Sequence, residues 1–163
     1  MRRKSAPPPV GPTPIDAPGR RRLPPLLRQA WYSLNQAFGR RLAPLELTPD
    51  QFTVLRWLSE GDPQGMRQSE LSALMASDPN TISGVLRRME SALLLERSPH
   101  ESDRRAYRIR VTRHGRQRYQ AARKQAVALQ AEVLSVLPER KRDEFLAELE
   151  AMAAACAKAL HES

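Results

Sequence analysis

Residues 79–112 limit the folds open to this chain more than any other part of its sequence. Pro79 suits the first turn of a helix, with Asp78 as its cap. Apolar side chains then recur at helical spacing, at Ile82, Val85, Leu86 and Met89. This pattern predicts a helix from residue 79 to about residue 92. The positions left on its outer face are small or polar and then basic, namely Thr81, Ser83, Gly84, Arg87 and Arg88.

A β-hairpin is predicted directly after this helix. Residues 93–97 lead into a strand, residues 98–105 form a polar turn, and residues 106–111 alternate with the period of a return strand. We expect the apolar residues of the return strand to face the core and its arginines to face solvent. The inward set is Tyr107, Ile109 and Val111, and the outward set is Arg108 and Arg110.

The rest of the chain is predicted to be helical apart from its first 22 residues. Those residues are rich in Pro and Arg and hold almost no large apolar side chains, which predicts a disordered tail. Helices are expected at 23–43, from Pro49 behind a Thr48–Gln51 capping box, at 68–75, and over 113–160 with a break at Pro138. The predicted fold is mainly α with a small β-hairpin wing, that is, a winged helix-turn-helix flanked by N- and C-terminal helices.

Composition narrows the class of protein. No apolar run approaches the ~20 residues of a membrane helix, and Pro-rich sequence stands where a signal peptide would be apolar. We therefore expect a cytoplasmic protein with no membrane partner. The single cysteine, Cys156, and three dispersed histidines argue against a metal site. The sequence also lacks a phosphate loop and a nucleophile–base motif, so we expect neither an enzyme nor a cofactor.

The positive charge is concentrated in two segments of a chain whose net charge is +9. Residues 1–28 hold seven positive side chains against one negative, and residues 84–118 hold ten arginines against four carboxylates. A polyanionic partner explains this distribution better than general solubility does. The alternative is a surface that is merely rich in arginine.

Duplex DNA is the polyanion that the motif in residues 79–112 fits. A helix with small groups followed by arginines can approach base edges and then phosphates in the major groove, although an ordinary solvated helix face remains the alternative. Arginine at a hairpin tip can enter the minor groove. Asp103, Arg104 and Arg105 lie at or near the predicted tip, where Asp103 could hold a neighbouring guanidinium in place. A surface ion pair without function is the other interpretation of this cluster.

The two C-terminal helices carry heptad-like apolar seams. Spacings of three and four run through Tyr119, Ala122, Ala126, Leu129 and Val133, and again through Phe145, Leu149, Met152, Cys156 and Ala159. Such seams favour pairing between subunits, and packing of one helix on the other within the chain is the alternative. Cys156 is expected to be inert packing, with pairing to its mate across a dimer as the second interpretation.

The ordered set of motifs resembles the MarR family of bacterial transcriptional regulators. It comprises Gln-Ser-Glu-Leu at 68–71, Asp-Pro-Asn-Thr-Ile-Ser at 78–83, Glu-Arg at 96–97, Asp-Arg-Arg at 103–105 and Val-Thr-Arg-His-Gly-Arg at 111–116. The resemblance covers residues 23–160 and implies a DNA-binding lobe at about 48–112, between dimerisation helices at about 23–43 and 113–160. The implied DNA contacts are Gln68, Ser69, Asn80, Thr81, Ser83, Gly84, Arg87, Arg88, Asp103, Arg104 and Arg105. Among them, the resemblance implies Arg105, supported by Asp103, as the wing-tip arginine, with Arg104 as the close alternative.

The resemblance also implies how such a protein works. A homodimer would bind a pseudo-palindromic operator and repress transcription until a small anionic or phenolic effector lowers its DNA affinity. The implied effector site lies among Trp31, Tyr32, Arg56 and Trp57, with a plain core role for the tryptophans as the alternative. A non-specific or architectural DNA-binding protein without an effector response is the alternative function.

Two positions depart from the family pattern. Leu93 stands where a glycine usually closes the helix in a left-handed conformation. Because that conformation costs a leucine roughly 1 kcal/mol or more, we expect this helix to end differently. Arg67 stands where a small hydroxyl residue usually caps the helix that begins at Gln68.

Overall fold

The computed structural model describes residues 17–99 and 107–162. Over these ranges the chain forms six α-helices and one antiparallel hairpin, which confirms the predicted fold class. Their bounds are α1 Leu23–Leu42, α2 Pro49–Glu60, α3 Gln68–Leu74, α4 Pro79–Ser91, β1 Leu95–Pro99, β2 Tyr107–Val111, α5 Arg113–Leu134 and α6 Arg142–His161. Short 3-10 turns cover Ala43–Leu45 and Glu139–Lys141. Most of the predicted disordered tail, residues 1–16, lies outside the described residues, so the disorder stays a prediction.

The contacts divide the chain into two compact units, Met1–Ala37 and Phe38–Ser163. The first unit contains most of α1, on which several large apolar side chains are exposed: Leu23, Leu26, Trp31, Tyr32 and Leu34. The second unit holds the last turn of α1 and every later element. None of the helices that the structure describes is long and apolar enough to cross a membrane.

Helix starts follow the sequence signals closely. Thr48 and Gln51 form the predicted capping box at α2, with Thr48 N donating to Gln51 Oε1 at 2.9 Å and Gln51 N donating to Thr48 Oγ1 at 3.3 Å. Thr112 caps α5 by accepting from Gly115 N at 3.0 Å. At α3 the departure at Arg67 leaves half a box. Glu70 Oε2 accepts a hydrogen bond from Arg67 N at 2.6 Å. Because an arginine side chain carries donors only, it cannot accept the reciprocal bond of a capping box from Glu70 N.

One aliphatic core lies in the second unit. Its most buried large side chains come from the end of α1, from α2, α3 and α4, and from the hairpin, and include Leu42, Leu55, Leu71, Ile82, Leu86, Met89 and Ile109. Aromatic contacts extend it from the end of α1 to α5. Phe38 meets Phe52 edge to face with ring centres 5.0 Å apart, and Phe52 lies 5.7 Å from Tyr119. α2, α4 and α5 therefore all turn their buried faces toward this core.

The end of α4 corrects the expectation for Leu93. Leu93 does adopt the left-handed conformation, with φ of 55°, and its side chain is exposed. Leu94 N donates to Met89 O and Leu93 N donates to Glu90 O, both at 2.9 Å, which is the Schellman pattern usually closed by glycine. The helix therefore ends as the family pattern requires, and the leucine bears the conformational cost. Thr112 Oγ1 secures the turn by donating to Leu93 O at 2.6 Å.

The start of α5 packs directly on the residues that follow α4. A Cβ built on Gly115 would lie 2.1 Å from Leu94 O, so only glycine permits this approach. Thr112 N also donates to Leu94 O at 3.1 Å. The hairpin, the end of α4 and the start of α5 consequently form one hydrogen-bonded junction.

Much of the apolar surface of α5 and α6 has no partner within the described chain. Val127, Val133 and Val136 are exposed at the far end of α5 and beyond it, and Phe145, Leu146, Leu149 and Leu160 are exposed on α6. Cys156 is exposed as well, so the single chain does not bury it as inert packing. Arg142 Nε joins the two helices by donating to Leu134 O at 3.1 Å.

Candidate nucleic-acid interface

The first turn of α4 is held by a fully used cap. Asp78 Oδ1 accepts from Asn80 N at 3.0 Å and from Thr81 N at 2.9 Å, and the hydroxyl of Thr81 donates to Asp78 Oδ2. These bonds, the side-chain bond from Thr81 first, hold the pKa of Asp78 below its usual range. The Thr81 hydroxyl is committed as a donor, but its lone pairs stay open to a donor from outside. The Asn80 side chain is exposed beside it.

The turn between α3 and α4 is rigidly closed. Ala76 has φ of 45°, and Ser77 N donates to Ser72 O at 3.1 Å, so α3 ends in the same left-handed pattern as α4. Gln68 Nε2 donates to Pro79 O at 3.1 Å, which ties the first residue of α3 to the first residue of α4. Part of the predicted DNA-contacting amide of Gln68 therefore holds the two helices together. Ser69 is exposed next to it.

The outer face of α4 presents the predicted contact residues. Ile82, Val85, Leu86 and Met89 are buried, which leaves Thr81, Ser83, Arg87 and Arg88 exposed and Gly84 half-buried. Nη1 of Arg88 lies 3.5 Å from where a Cβ on Gly84 would be, so the surface there is low and flanked by positive charge. Within residues 17–99 and 107–162, the guanidinium groups of Arg87 and Arg88 form no hydrogen bond and no ion pair. Both guanidinium groups can therefore bind a ligand without breaking a contact.

The hairpin pairs residue for residue from Leu95 with Val111 to Pro99 with Tyr107. Arg97 Nε donates to Glu90 Oε2 at 3.1 Å and so joins β1 to α4. The predicted tip residues Asp103, Arg104 and Arg105 lie outside the described residues, so their role stays a prediction. Ile109 and Val111 are buried as expected, but Tyr107 is 53% exposed and does not face the core. Because Tyr107 lies at the end of the described strand, opposite Pro99, the core does not extend to cover it.

The two arginines of β2 do not simply face solvent, as the alternation predicted. Arg110 donates to Gln64 O at 2.8 Å and to Gln64 Oε1 at 2.7 Å. Arg108 Nη1 donates to Gly65 O at 3.0 Å and lies 3.6 Å from Asp62 Oδ2. Both side chains are half-buried against residues 62–65, which we call the α2–α3 loop. The alternation of residue types correctly placed both arginines on the side of β2 away from the core. It could not predict that the α2–α3 loop packs against that side.

A third chain segment thus lines the base of the hairpin. Met66 forms an antiparallel bridge with Ile109, donating N to O at 3.1 Å and accepting from Ile109 N at 2.8 Å. Gly65 has φ of 89°, and a Cβ there would lie 2.5 Å from Ile109 O. In the sequence, residues 61–65 lie between the helix predicted from Pro49 and the helix predicted at 68–75. Glycine directly before an apolar residue was the one available sign of a close backbone approach.

The residues expected to bind an effector have separate surroundings. In the second unit, Arg56 Nε donates to Glu60 Oε2 at 3.1 Å, and Trp57 is half-buried against the core. Tyr119 Oη donates to Glu60 Oε1 at 2.6 Å, and these two hydrogen bonds, the one from Tyr119 first, lower the pKa of Glu60. In the first unit, Trp31 and Tyr32 are exposed. Trp57 thus has the surroundings expected if it packs in the core rather than binds an effector.

Comparisons with known proteins agree with this arrangement. The model of the MarR family matches residues 47–107, which run from the start of α2 into the hairpin. The transcriptional repressor NicR of Pseudomonas putida is 32% identical over 90 residues, which are 55% of this chain and 56% of NicR. The match therefore spans little more than half the length of that relative.

The similarity to solved structures covers more of the chain than the family model does. CouR from Rhodococcus jostii RHA1, solved with p-coumaroyl-CoA bound, is 26% identical with a TM-score of 0.71, covering 78% of this chain and 89% of that one. A structure of the repressor CouR on a 23-mer DNA duplex is 28% identical with a TM-score of 0.72 and the same coverage. The MarR family model matches residues 47–107 of this chain, and the CouR structures share its fold over most of its length.

Proposed function

We propose that this protein is a homodimeric transcriptional regulator that binds a pseudo-palindromic operator and represses transcription. The observation that carries the proposal is the outer face of α4, where small groups precede Arg87 and Arg88 and neither guanidinium is used within the described chain. A surface of this kind fits base edges at the small residues and phosphates or guanine at the arginines. That NicR is a repressor, and that CouR has been solved on DNA, supports the same assignment.

The wing is the second part of the proposed interface. Arg105 would enter the minor groove beside each half-site, with Asp103 supporting it and Arg104 as the close alternative. The clasp of Arg108 and Arg110 on the α2–α3 loop supports this role because it fixes the base from which the wing extends. We expect Arg105→Ala to weaken binding mainly through the minor-groove flank. Wild-type affinity of that variant at physiological salt would remove the wing from the interface.

The exposed apolar surface of α6 supports dimerisation. Phe145, Leu146 and Leu149 lie at spacings of one and three on α6, each more than a third exposed. A contiguous exposed apolar patch usually marks an interaction surface. Burial of this patch against a second subunit would stabilise the dimer by about 25 cal/mol per Å² of apolar surface. Analytical ultracentrifugation should show a dimer that Leu149→Glu dissociates. A monomeric wild-type protein would refute this part of the proposal.

A small anionic or phenolic effector is proposed to lower DNA affinity. The candidate residues are Arg56 and Trp57 in the second unit and Trp31 and Tyr32 in the first. A relative of the same fold was solved with p-coumaroyl-CoA, an aromatic acyl thioester. Any ligand carboxylate or phosphate that binds Arg56 has to compete with Glu60. The chain holds two tryptophans, so quenching of their fluorescence by phenolic acids and aromatic acyl thioesters reports binding. Unchanged fluorescence across that panel would leave a regulator without this class of effector.

The experiment that tests the proposed function is a comparison of affinities. The purified protein is titrated with the intergenic DNA upstream of its own gene and with a shuffled duplex, each at two salt concentrations. A regulator should prefer one site by about 10³-fold or more. Equal affinities that fall steeply with salt on both duplexes would instead indicate an architectural protein acting through phosphates alone.

A further inference from the structure

One face of α5 carries a basic surface that the contacts of α4 do not explain. Residues 108–131 contain seven arginines and lysines and no Asp or Glu. Five of the residues that line a shallow groove of about 580 Å³ follow one side of the helix, and we call them the basic α5 face: Arg113, Arg116, Gln117, Gln120 and Lys124. Their spacing of three to four residues places cations and amide donors in one row.

The fold gains little from charge at these positions. The first turn of α5 holds no acidic residue, and cations near a helix N-terminus oppose its dipole. Other arginines of this stretch do have carboxylate partners, as Arg118 has in Glu46 at 3.0 Å. Across residues 17–99 and 107–162, no carboxylate pairs with Arg113 or Lys124. Arg116 Nη1 donates to Val111 O at 2.9 Å, which is a structural contact.

The basic α5 face begins beside the proposed DNA interface. Thr112, the residue before it, bonds to Leu93 O just after α4, and Gly115 packs against Leu94 O. Arg113 and Arg116 also line a second cleft of about 400 Å³ together with Gly65 and Arg110. The row of cations therefore starts at the end of α4 and at the base of the hairpin, and continues along α5 for about 16 Å at 1.5 Å per residue.

We propose that the basic α5 face binds the phosphate backbone of duplex DNA outside the half-site that α4 contacts. The inference rests on the proposed function, since it extends the same interface. A row of cations and amides fits a ligand with regularly spaced phosphates, and arginine, lysine and glutamine all serve as phosphate donors. The continuity of this face with the junction at α4 favours DNA over a separate acidic protein.

The test uses two duplexes centred on the selected operator. One ends at the half-sites, and the other is extended by about one helical turn of unrelated sequence on each side. The double variant that combines Arg113→Gln with Lys124→Gln removes two exposed charges without a described partner and keeps good helix formers. Arg140→Gln combined with Lys141→Gln is the matched control, because it removes the same charge from the exposed 3-10 turn between α5 and α6.

Wild-type protein should bind the extended duplex more tightly than the short one. In the double variant of the basic α5 face, this preference should disappear, and the slope of log affinity against log salt on the extended duplex should become shallower by about 0.9 for each lost phosphate contact. The control variant should behave as wild type. Arg113→Glu gives a second readout, because it should raise the melting temperature by favouring the helix dipole while it lowers affinity for the extended duplex.

The two proposals fail in different ways. If wild-type protein shows no operator preference at all, the proposed function is wrong and this inference falls with it. If wild-type protein selects the operator but the double variant keeps the wild-type slope and length preference, only the inference about α5 is overturned. Equal losses in the double variant and in its control would also overturn it, since they would show a general effect of net charge.

Discussion

The guanidinium of Arg110 binds Gln64 at two points, donating to the carbonyl oxygen at 2.8 Å and to the side-chain Oε1 at 2.7 Å. The residues are 46 positions apart, so this one side chain joins the hairpin to the loop between α2 and α3. Arg108 makes the neighbouring contact to Gly65 O. The direction of the wing is thus set by a loop that contributes none of the proposed DNA contacts.

The Arg110–Gln64 contact predicts a loss of operator affinity that a positive charge alone at position 110 does not restore. Arg110→Ala and Arg110→Lys should both weaken operator binding by roughly five-fold, or about 1 kcal/mol, because lysine lacks the planar fork that spans both oxygens. Hydroxyl-radical footprints should lose protection at the minor-groove flank and keep it in the central major groove. Wild-type affinity of Arg110→Lys would show that Arg110 acts only as a point charge.

Leu93 predicts a stabilising substitution. It holds φ of 55° with an exposed side chain, so Leu93→Gly removes a conformational cost without losing buried contacts. After the greater chain entropy of glycine is subtracted, the free energy of unfolding in urea should rise by about 0.5–1 kcal/mol. Ala92→Gly is the control, because Ala92 has φ of −85° and should lose a similar amount. A less stable Leu93→Gly protein would contradict the assigned helix end.

Gly84 predicts opposite effects on stability and binding. It lies inside α4, and a Cβ there has only Arg88 Nη1 nearby, at 3.5 Å. Gly84→Ala should therefore stabilise the fold by roughly 0.5–1 kcal/mol through helix propensity. The added methyl group would occupy the space that a base edge takes up in the proposed complex, so operator affinity should fall. Gly39→Ala, in α1 with ordinary contacts, should stabilise the protein without changing DNA affinity. Unchanged affinity of Gly84→Ala would mean that α4 lies farther from the bases.

Tyr119 predicts a change in stability at alkaline pH. Burial first, and then the hydrogen bond to Glu60, raises the pKa of Tyr119 from 10.0 to about 12. A raised pKa contributes stability that is complete below the unfolded value and is lost as the pH rises through the folded value. The stability advantage of wild type over Tyr119→Phe should accordingly shrink between about pH 10 and pH 12. Urea unfolding at a series of pH values from about 9 to about 12 measures it.

Ultraviolet titration of the phenolate groups provides an independent check. The chain has three tyrosines, and the step that Tyr119→Phe removes should be the last, near pH 12. If the variant instead loses an early step, the hydrogen bond to Glu60 does not persist in solution.

The sequence predicted what depends on local chemistry. The caps at Thr48 and Asp78 form as expected, since a cap needs only a side-chain acceptor two or three residues before a free N–H. The buried side of α4 follows from the spacing of Ile82, Val85, Leu86 and Met89. The exposure of Arg87 and Arg88 follows from the same spacing.

What the sequence did not predict depends on distant segments. The partners of Arg108 and Arg110 come from residues 43 and 46 positions away, and alternation within a strand says nothing about them. The prediction for the end of α4 was wrong for a different reason. Local preference disfavours leucine at φ of 55°, but the bonds of Leu93 and Leu94 to α4 and to Thr112 together outweigh it. At Leu93, hydrogen bonding therefore overrode the local conformational preference.

The central claim is that the outer face of α4 distinguishes DNA sequences. The most direct measurement is the affinity of Arg87→Ala and of Arg88→Ala for the operator and for each single-base operator variant, with Arg140→Ala as the control. At least one of the two variants should lose about 1–3 kcal/mol of binding free energy on the operator, relax the preference at one position of each half-site, and bind shuffled DNA as wild type does. Equal losses on operator and shuffled DNA, or none on either, would contradict it.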